Sequence, residues 1–352
     1  MKLIKVQDFT LNIEESIKTA AIATSNELVM LMSSGAVTRY NINTHTWEPL
    51  FSVKGAFDLE APATIYTLDS IVVIVNDYKR HGYVHYPGKY EALHLWRGDY
   101  CVEVSCYPIA LFRNEAAVPH LIYGEDWNHV QIMNLDTRQI LTAAKSLIEE
   151  GAEERHLEYR KEYEAYDDSP WPIPYDYFFG KLTMAPDQKH FLSAGWVWGS
   201  YDAYTVYDVN HFIQSNRISE KALGGWEHCS RATCWVDNAT VAVTYDPHAE
   251  GDEGVTEETP QEIHFYNITG QEPSLERKIK IAGVDLVNAQ LYFNQDLQAF
   301  IACTKQSGVV VWSLEGDKLW QDETLTQVSY YPDLNLFLKV EGQLVVMYQI
   351  LP

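Results

Sequence analysis

Hydrophobic and polar positions along the chain group into short apolar, β-branched runs separated by turn residues. Such runs occupy 27–32, 70–75, 240–244, 299–303 and 336–340. Runs of this length and composition, bounded by turn formers, read as strands covered on both faces. We read them as inner strands, each sandwiched between neighbouring repeats. Downstream comes a recurring element: an aromatic or apolar residue, any residue, then Ile, Leu or Val, then a small polar turn residue. It reads Tyr40-Asn41-Ile42-Asn43-Thr44, then Met133-Asn134-Leu135-Asp136-Thr137 and Tyr207-Asp208-Val209-Asn210. It returns as Tyr266-Asn267-Ile268-Thr269-Gly270, Trp312-Ser313-Leu314-Glu315-Gly316 and Tyr348-Gln349-Ile350. The stretch Tyr83 to Gly88, aligned on Tyr86, fills the remaining slot. Asn, Asp, Ser and Thr at these places end strands by bonding the backbone.

The spacing sets the architecture. The element recurs after 46 residues from Tyr40 to Tyr86, after 47 to Met133, and after 46 from Tyr266 to Trp312. A four-stranded propeller blade takes roughly 40–50 residues. Seven copies predict an all-β fold, a single seven-bladed β-propeller spanning 1–352. The longer steps, 74 residues from Met133 to Tyr207 and 59 from Tyr207 to Tyr266, predict insertions near 143–176 and 246–262. The first is rich in Glu, Ala, Lys and Arg and reads as partly helical, with Leu157 and Tyr163 marking its apolar side. The prolines of Ser169-Pro170-Trp171-Pro172-Ile173-Pro174 end it in extended chain. The second reads as a flexible acidic loop. The last blade has room for three strands before Pro352, while Lys2 to Thr10 forms a strand with no blade of its own. The N-terminal strand is therefore expected to close the last blade.

Charge narrows the partners. The net charge is −23, which argues against nucleic acid, since phosphate contacts need clustered Lys and Arg. Nine acids against three bases lie in 149–168, and seven acids with no base in 246–262. These insertions offer an acidic face for a basic protein partner. The five cysteines and the absence of an apolar leader at Met1 to Asp8 lead us to expect free thiols in the cytoplasm. No apolar stretch is long enough for a membrane helix, so no membrane partner is expected.

One family resemblance emerges from the middle of the chain. It is carried by Arg97-Gly98-Asp99-Tyr100, Tyr107-Pro108-Ile109-Ala110-Leu111-Phe112 and Tyr123-Gly124-Glu125-Asp126-Trp127-Asn128. Tyr177-Phe178-Phe179-Gly180, Ala194-Gly195-Trp196-Val197-Trp198 and the stretch Trp226 to Trp235 continue it. Over about 70–245 the chain resembles uncharacterised bacterial WD40-like β-propeller proteins. The resemblance implies a propeller and a bacterial source, and it implies no activity. The Gly-His and Trp-Asp dipeptides of eukaryotic WD40 repeats are missing, so their binding modes are not carried over.

Candidate chemistry is densest at Trp226-Glu227-His228-Cys229-Ser230-Arg231, followed by Cys234. A Cys beside a His can form a nucleophile and base. Zinc would need four ligands, and the Cys-x4-Cys pairs are loosely spaced for it; packing at a blade junction is the simpler reading, and no metal or cofactor is expected. Asp126-Trp127-Asn128 falls in a tight connection, where Asp and Asn can fix a loop or line the propeller mouth. Trp196 and Trp198, two apart, share one strand face, where indoles pack a blade or stack a flat ligand. Asp246 to Glu257 only faintly echoes a calcium loop. We take Asp126, Trp127, Asn128, Trp171, Trp196, Trp198, Trp226, His228 and Arg231 as candidate binding residues and none as catalytic. The expected function is a non-enzymatic scaffold that binds a protein through loops and acidic insertions. The alternative is a hydrolase or lactonase-like enzyme, or a binder of a small molecule such as a sugar, using the central channel.

Overall fold

The computed structural model describes all residues except 12–13, 164–173, 228–229, 251–254, 257–258, 282–283, 285 and 287. Its strands form seven antiparallel sheets, which are the blades of a propeller. Blade one runs outward from the axis as Ile17–Thr24, Glu27–Met32, Ala36–Asn41 and Thr46–Ser52. Blades two, four, five and six repeat this four-strand order over 63–96, 178–222, 233–281 and 290–322. Blade seven is Val328–Tyr331, Leu336–Glu341 and Leu344–Leu351, closed on its outside by Lys2–Thr10. That closure runs from the pair Lys2 and Leu351 to the pair Thr10 and Leu344, with a bulge between Lys5 and Gln7. The expected joining of the termini is therefore present.

The apolar runs are the second strand of each blade, not the strand bordering the channel. Burial explains the pattern. Ile71–Asn76 is buried at every position and Ala299–Cys303 likewise, because both faces meet neighbouring blades. The strand nearest the axis borders channel water, and Ile17–Thr24 mixes buried and exposed positions accordingly. Each buried aliphatic side chain contributes roughly 1.5–3 kcal/mol relative to exposure.

The repeated element ends the third strand, and its chemistry recurs bond for bond. Asn41 Oδ1 accepts the amide N–H of Asn43 at 3.1 Å, Asn134 Oδ1 that of Asp136 at 2.9 Å, and Asn267 Oδ1 that of Thr269 at 2.8 Å. Ser313 Oγ accepts from Glu315 at 3.1 Å in the same way. The following aliphatic residue drops into the core, and its amide ties back to the start of the second strand. Ile42 donates to Asn26 O at 2.8 Å, Leu135 to Pro119 O at 3.0 Å and Ile268 to Ala239 O at 2.9 Å. A side-chain turn followed by a buried anchor is what makes the pattern visible in sequence.

Blade three has only three strands, Ile109–Arg113, Pro119–Asp126 and His129–Asn134, with a lone bridge from Met133 to Ile140 in the fourth place. The first insertion begins there. It crosses to blade four, where Ser146 and Glu150 donate to Asn216 O and Ile218 O, each at 2.8 Å. Helix α1 (Ala152–Tyr163) follows. Leu157, expected on its apolar side, is exposed, while His156 is buried. The helix has few apolar positions; Glu153 pairs with Arg217 of blade four, while Arg155 folds back on Glu149 of the same insertion at 2.5 Å. The Tyr163 side chain and the Pro-rich stretch through Ile173 lie outside the described residues. In the second insertion, Asp246 accepts from Gln261 at 3.0 Å, and His248 Nε2 lies 2.9 Å from Thr259 O. Glu257, of the calcium-loop echo, is outside the described residues.

Candidate functional site

Alternation of strand direction puts the connections of a propeller on two faces. Those between blades, and those joining the second strand of a blade to the third, share one face. The turn at Trp127 and Asn128, the turn after Trp198, the connections 97–108 and 223–232, and the loop 246–260 all belong to it. Every described candidate residue is therefore on, or at the border of, the same face. The recurring Asn and Ser turns lie on the opposite one.

Three of these connections meet over Phe178, a fully buried residue at the start of the innermost strand of blade four. Trp196 stacks on its ring at 3.7 Å between centroids and 10° between planes. Trp127 lies against it at 4.4 Å, and Trp198 meets it edge-on at 5.0 Å. Tyr100, from the connection between blades two and three, completes the cluster at 5.8 Å from Trp127 and 6.1 Å from Trp198. Trp196 Nε1 donates to Ser105 Oγ at 2.8 Å, tying that connection down. Trp196 and Trp198 do share one side, as their spacing predicted. Trp196 is half-buried in this packing, whereas Tyr100 and Trp198 keep 48% and 49% of their surface exposed.

Close backbone approach holds the cluster together. A Cβ on Gly98 would stand 2.4 Å from Asp126 Oδ1, and one on Gly195 would stand 2.1 Å from Phe178 O. Arg97, 4% exposed, folds the connection from within. Its guanidinium donates to backbone carbonyls of Lys79 at 2.8 Å, Ser105 at 2.9 Å, Val102 at 3.3 Å and Cys106 at 3.3 Å. Asp126 accepts the amide of Trp127 at 2.8 Å, and Asn128, buried, donates to Tyr175 O at 2.8 Å. These two residues shape the turn and leave Trp127 as its contact surface.

Arg231 belongs to a different, internal arrangement. Its guanidinium grips Asp202 through Nε and Nη2, both at 2.9 Å, and reaches Glu227 at 2.7 Å and Gly225 O at 2.9 Å. Tyr204 closes the network, donating to Asp202 at 2.8 Å. This fork clamps the connection between blades four and five onto the third strand of blade four. Trp171, His228 and Cys229 lie outside the described residues. The remaining four cysteines are free thiols, and burial pushes the Cys106 thiol up to about 11 and the Cys303 thiol up to about 12. Neither is a ready nucleophile.

Beside the aromatic cluster a cleft of about 410 Å³ opens along blade four. Trp198 and Trp226 border it, and Trp226 is the more exposed at 63%. Its wall holds a hydrogen-bonded chain: Thr205 Oγ1 donates to Tyr207 Oη at 2.8 Å, the Tyr207 and Tyr175 hydroxyls are 2.6 Å apart, and Tyr175 donates to Glu220. Burial raises the Glu220 carboxyl above its usual range. Sequence reasoning missed Tyr175 and Glu220, which sit in no motif; Tyr100 was visible only within the Arg97-to-Tyr100 run.

The central channel has its own polar set. Lys181 lies on the innermost strand of blade four and is solvent-accessible there. Burial lowers its ammonium from the usual range, with Cys106, Asp77 and Cys303 pulling the other way. Among the described residues, no three His, Cys, Asp or Glu side chains converge as a metal site would require. None of the described helices is long and apolar enough to cross a membrane.

Comparison with known proteins adds to the fold. No family model matches the chain, and no curated protein matches it. Among solved structures 1284 chains match. One is the Neurospora crassa Pan2 WD40 domain, with a TM-score of 0.55 and 9% identity over 98% of this chain and 94% of that one. At that identity the likeness speaks for architecture alone, and the architecture is a WD40-like, seven-bladed β-propeller.

Proposed function

We propose that the chain is a non-catalytic propeller scaffold that holds a basic protein partner on the face carrying Tyr100, Trp127, Trp198 and Trp226. The observation that supports it most is the exposure of Tyr100, Trp198 and Trp226 on one face, beside a rigid ring. Large aromatic side chains left half in water on a fixed scaffold mark interfaces, because they bury much area at small entropy cost. The acidic loop 246–260 leaves and rejoins blade five on the same face and, with a net charge of −23, favours a cationic partner.

The test is affinity capture from native lysate with the wild-type chain and with a Tyr100→Ala/Trp198→Ala/Trp226→Ala variant, at low and at raised salt. The reading expects a basic protein retained by the wild type, released by salt, and lost from the variant. Equal retention by both chains would reject this face as the interface.

A further inference from the structure

The cleft on blade four has a composition that selects one kind of guest. Among the described residues, three carboxylates line it, Glu149, Asp176 and Glu220, and no Lys, Arg or His does. Aromatic rings make up much of the rest: Tyr175, Tyr177 and Tyr204 in the wall, and the two tryptophans at the border. A space of about 410 Å³ is enough for one long side chain with a charged tip.

The wall is set in place before any guest arrives. Tyr177 Oη donates within the blade, its acceptors Ser193 O and Ala203 O each 3.0 Å away, so its ring is fixed. The hydroxyls of Tyr175 and Tyr207 both point at Oε2 of Glu220, the latter at 3.4 Å. Among the described residues, Oε1 of Glu220 accepts no hydrogen bond, which leaves it for a donor from outside. Glu149 is engaged by Arg155 at 2.5 Å. Glu220, which feels Arg155 only at longer range, and Asp176 are therefore the carboxylates without an ion-pair partner among the described residues.

We propose that this cleft receives a single arginine or lysine side chain of the protein partner, its charged tip at Glu220 and its stem between Trp198 and Trp226. The inference rests on the scaffold reading above and names what the partner must present. An aliphatic stem against indole faces and a cation over aromatic rings are both favourable. A charge-assisted bond to a partly buried carboxylate supplies the selectivity.

A second consequence concerns protons. Burial holds the Glu220 carboxyl up, and Glu149 acts in the same direction. The Tyr175 and Tyr207 hydroxyls and Arg155 oppose them. A cation bound at Glu220 favours the ionised form, so it lowers that carboxyl and displaces its proton. Binding must therefore tighten as pH rises through the Glu220 titration and weaken as it falls.

The experiment titrates the full chain with N-acetyl-arginine amide, N-acetyl-lysine amide and the uncharged isostere N-acetyl-citrulline amide, read by tryptophan fluorescence. The arginine or lysine amide should bind, the citrulline amide at least about tenfold more weakly, and Glu220→Gln should lose about tenfold in affinity. Trp226→Ala should also weaken binding, and because Trp226 is largely exposed its melting temperature should stay that of the wild type. Glu154→Gln, an exposed change on α1 outside the cleft, should leave binding intact. Binding by the citrulline amide equal to that of the cations would overturn the proposal. So would equal losses from Glu154→Gln and Glu220→Gln, which would trace binding to the general negative field. If the captured partner is lost from the aromatic triple variant but kept by Glu220→Gln, the cation cleft fails while the scaffold reading survives.

Discussion

Arg231 illustrates how a residue that reads as a ligand-binder in sequence can be a structural clamp. Its side chain is 3% exposed and Asp202 opposite it 9%, with Glu227 and Tyr204 completing the set. Nothing local in the sequence pairs 231 with 202, since the contact depends on how blade four meets blade five. Removing one member of such a network strands the others as buried, uncompensated charge. Arg231→Ala should therefore cost roughly 3–5 kcal/mol in denaturant unfolding. A loss below about 1 kcal/mol would show that the network is not what fixes this connection. The turn residues behave oppositely. Asn41, Asn134 and Asn267 act within two residues of themselves, so their role could be read directly.

Elements were legible to the degree that their burial is uniform. The second strands are covered on both sides and give unbroken apolar runs, which is why they stood out. The true innermost strands border water and carry a mixed pattern that resembles many other strands. The insertion was visible as excess length, and its helix as composition. The side it buries was not, because α1 turns inward His156 and the Glu153 that pairs with Arg217 rather than an apolar stripe. The closing strand Lys2–Thr10 was inferred from the ring's need for a fourth strand in blade seven. Its pairing with Leu344–Leu351 covers the edge of that blade. Deleting residues 1–10 should clearly lower the melting temperature, by several degrees or more; an unchanged value would show that the ring holds without the closure.

At the scale of the whole molecule, the repeat fixes which connections share a face, and that face collects Tyr100, Trp127, Trp198, Trp226 and both ends of the loop 246–260. The aromatic cluster was half legible: Trp196 and Trp198 by their spacing, Trp127 by its turn. Phe178, at its centre, and Glu220, in the cleft, come together with them only through the packing of blades three and four. Hydrogen exchange of the chain alone and with its captured partner tests the central claim most directly. The account predicts added protection in 97–108, 126–129, 196–203 and 223–232, with the turns at 41–45, 134–138 and 267–270 unchanged. Protection confined to those opposite turns would contradict it.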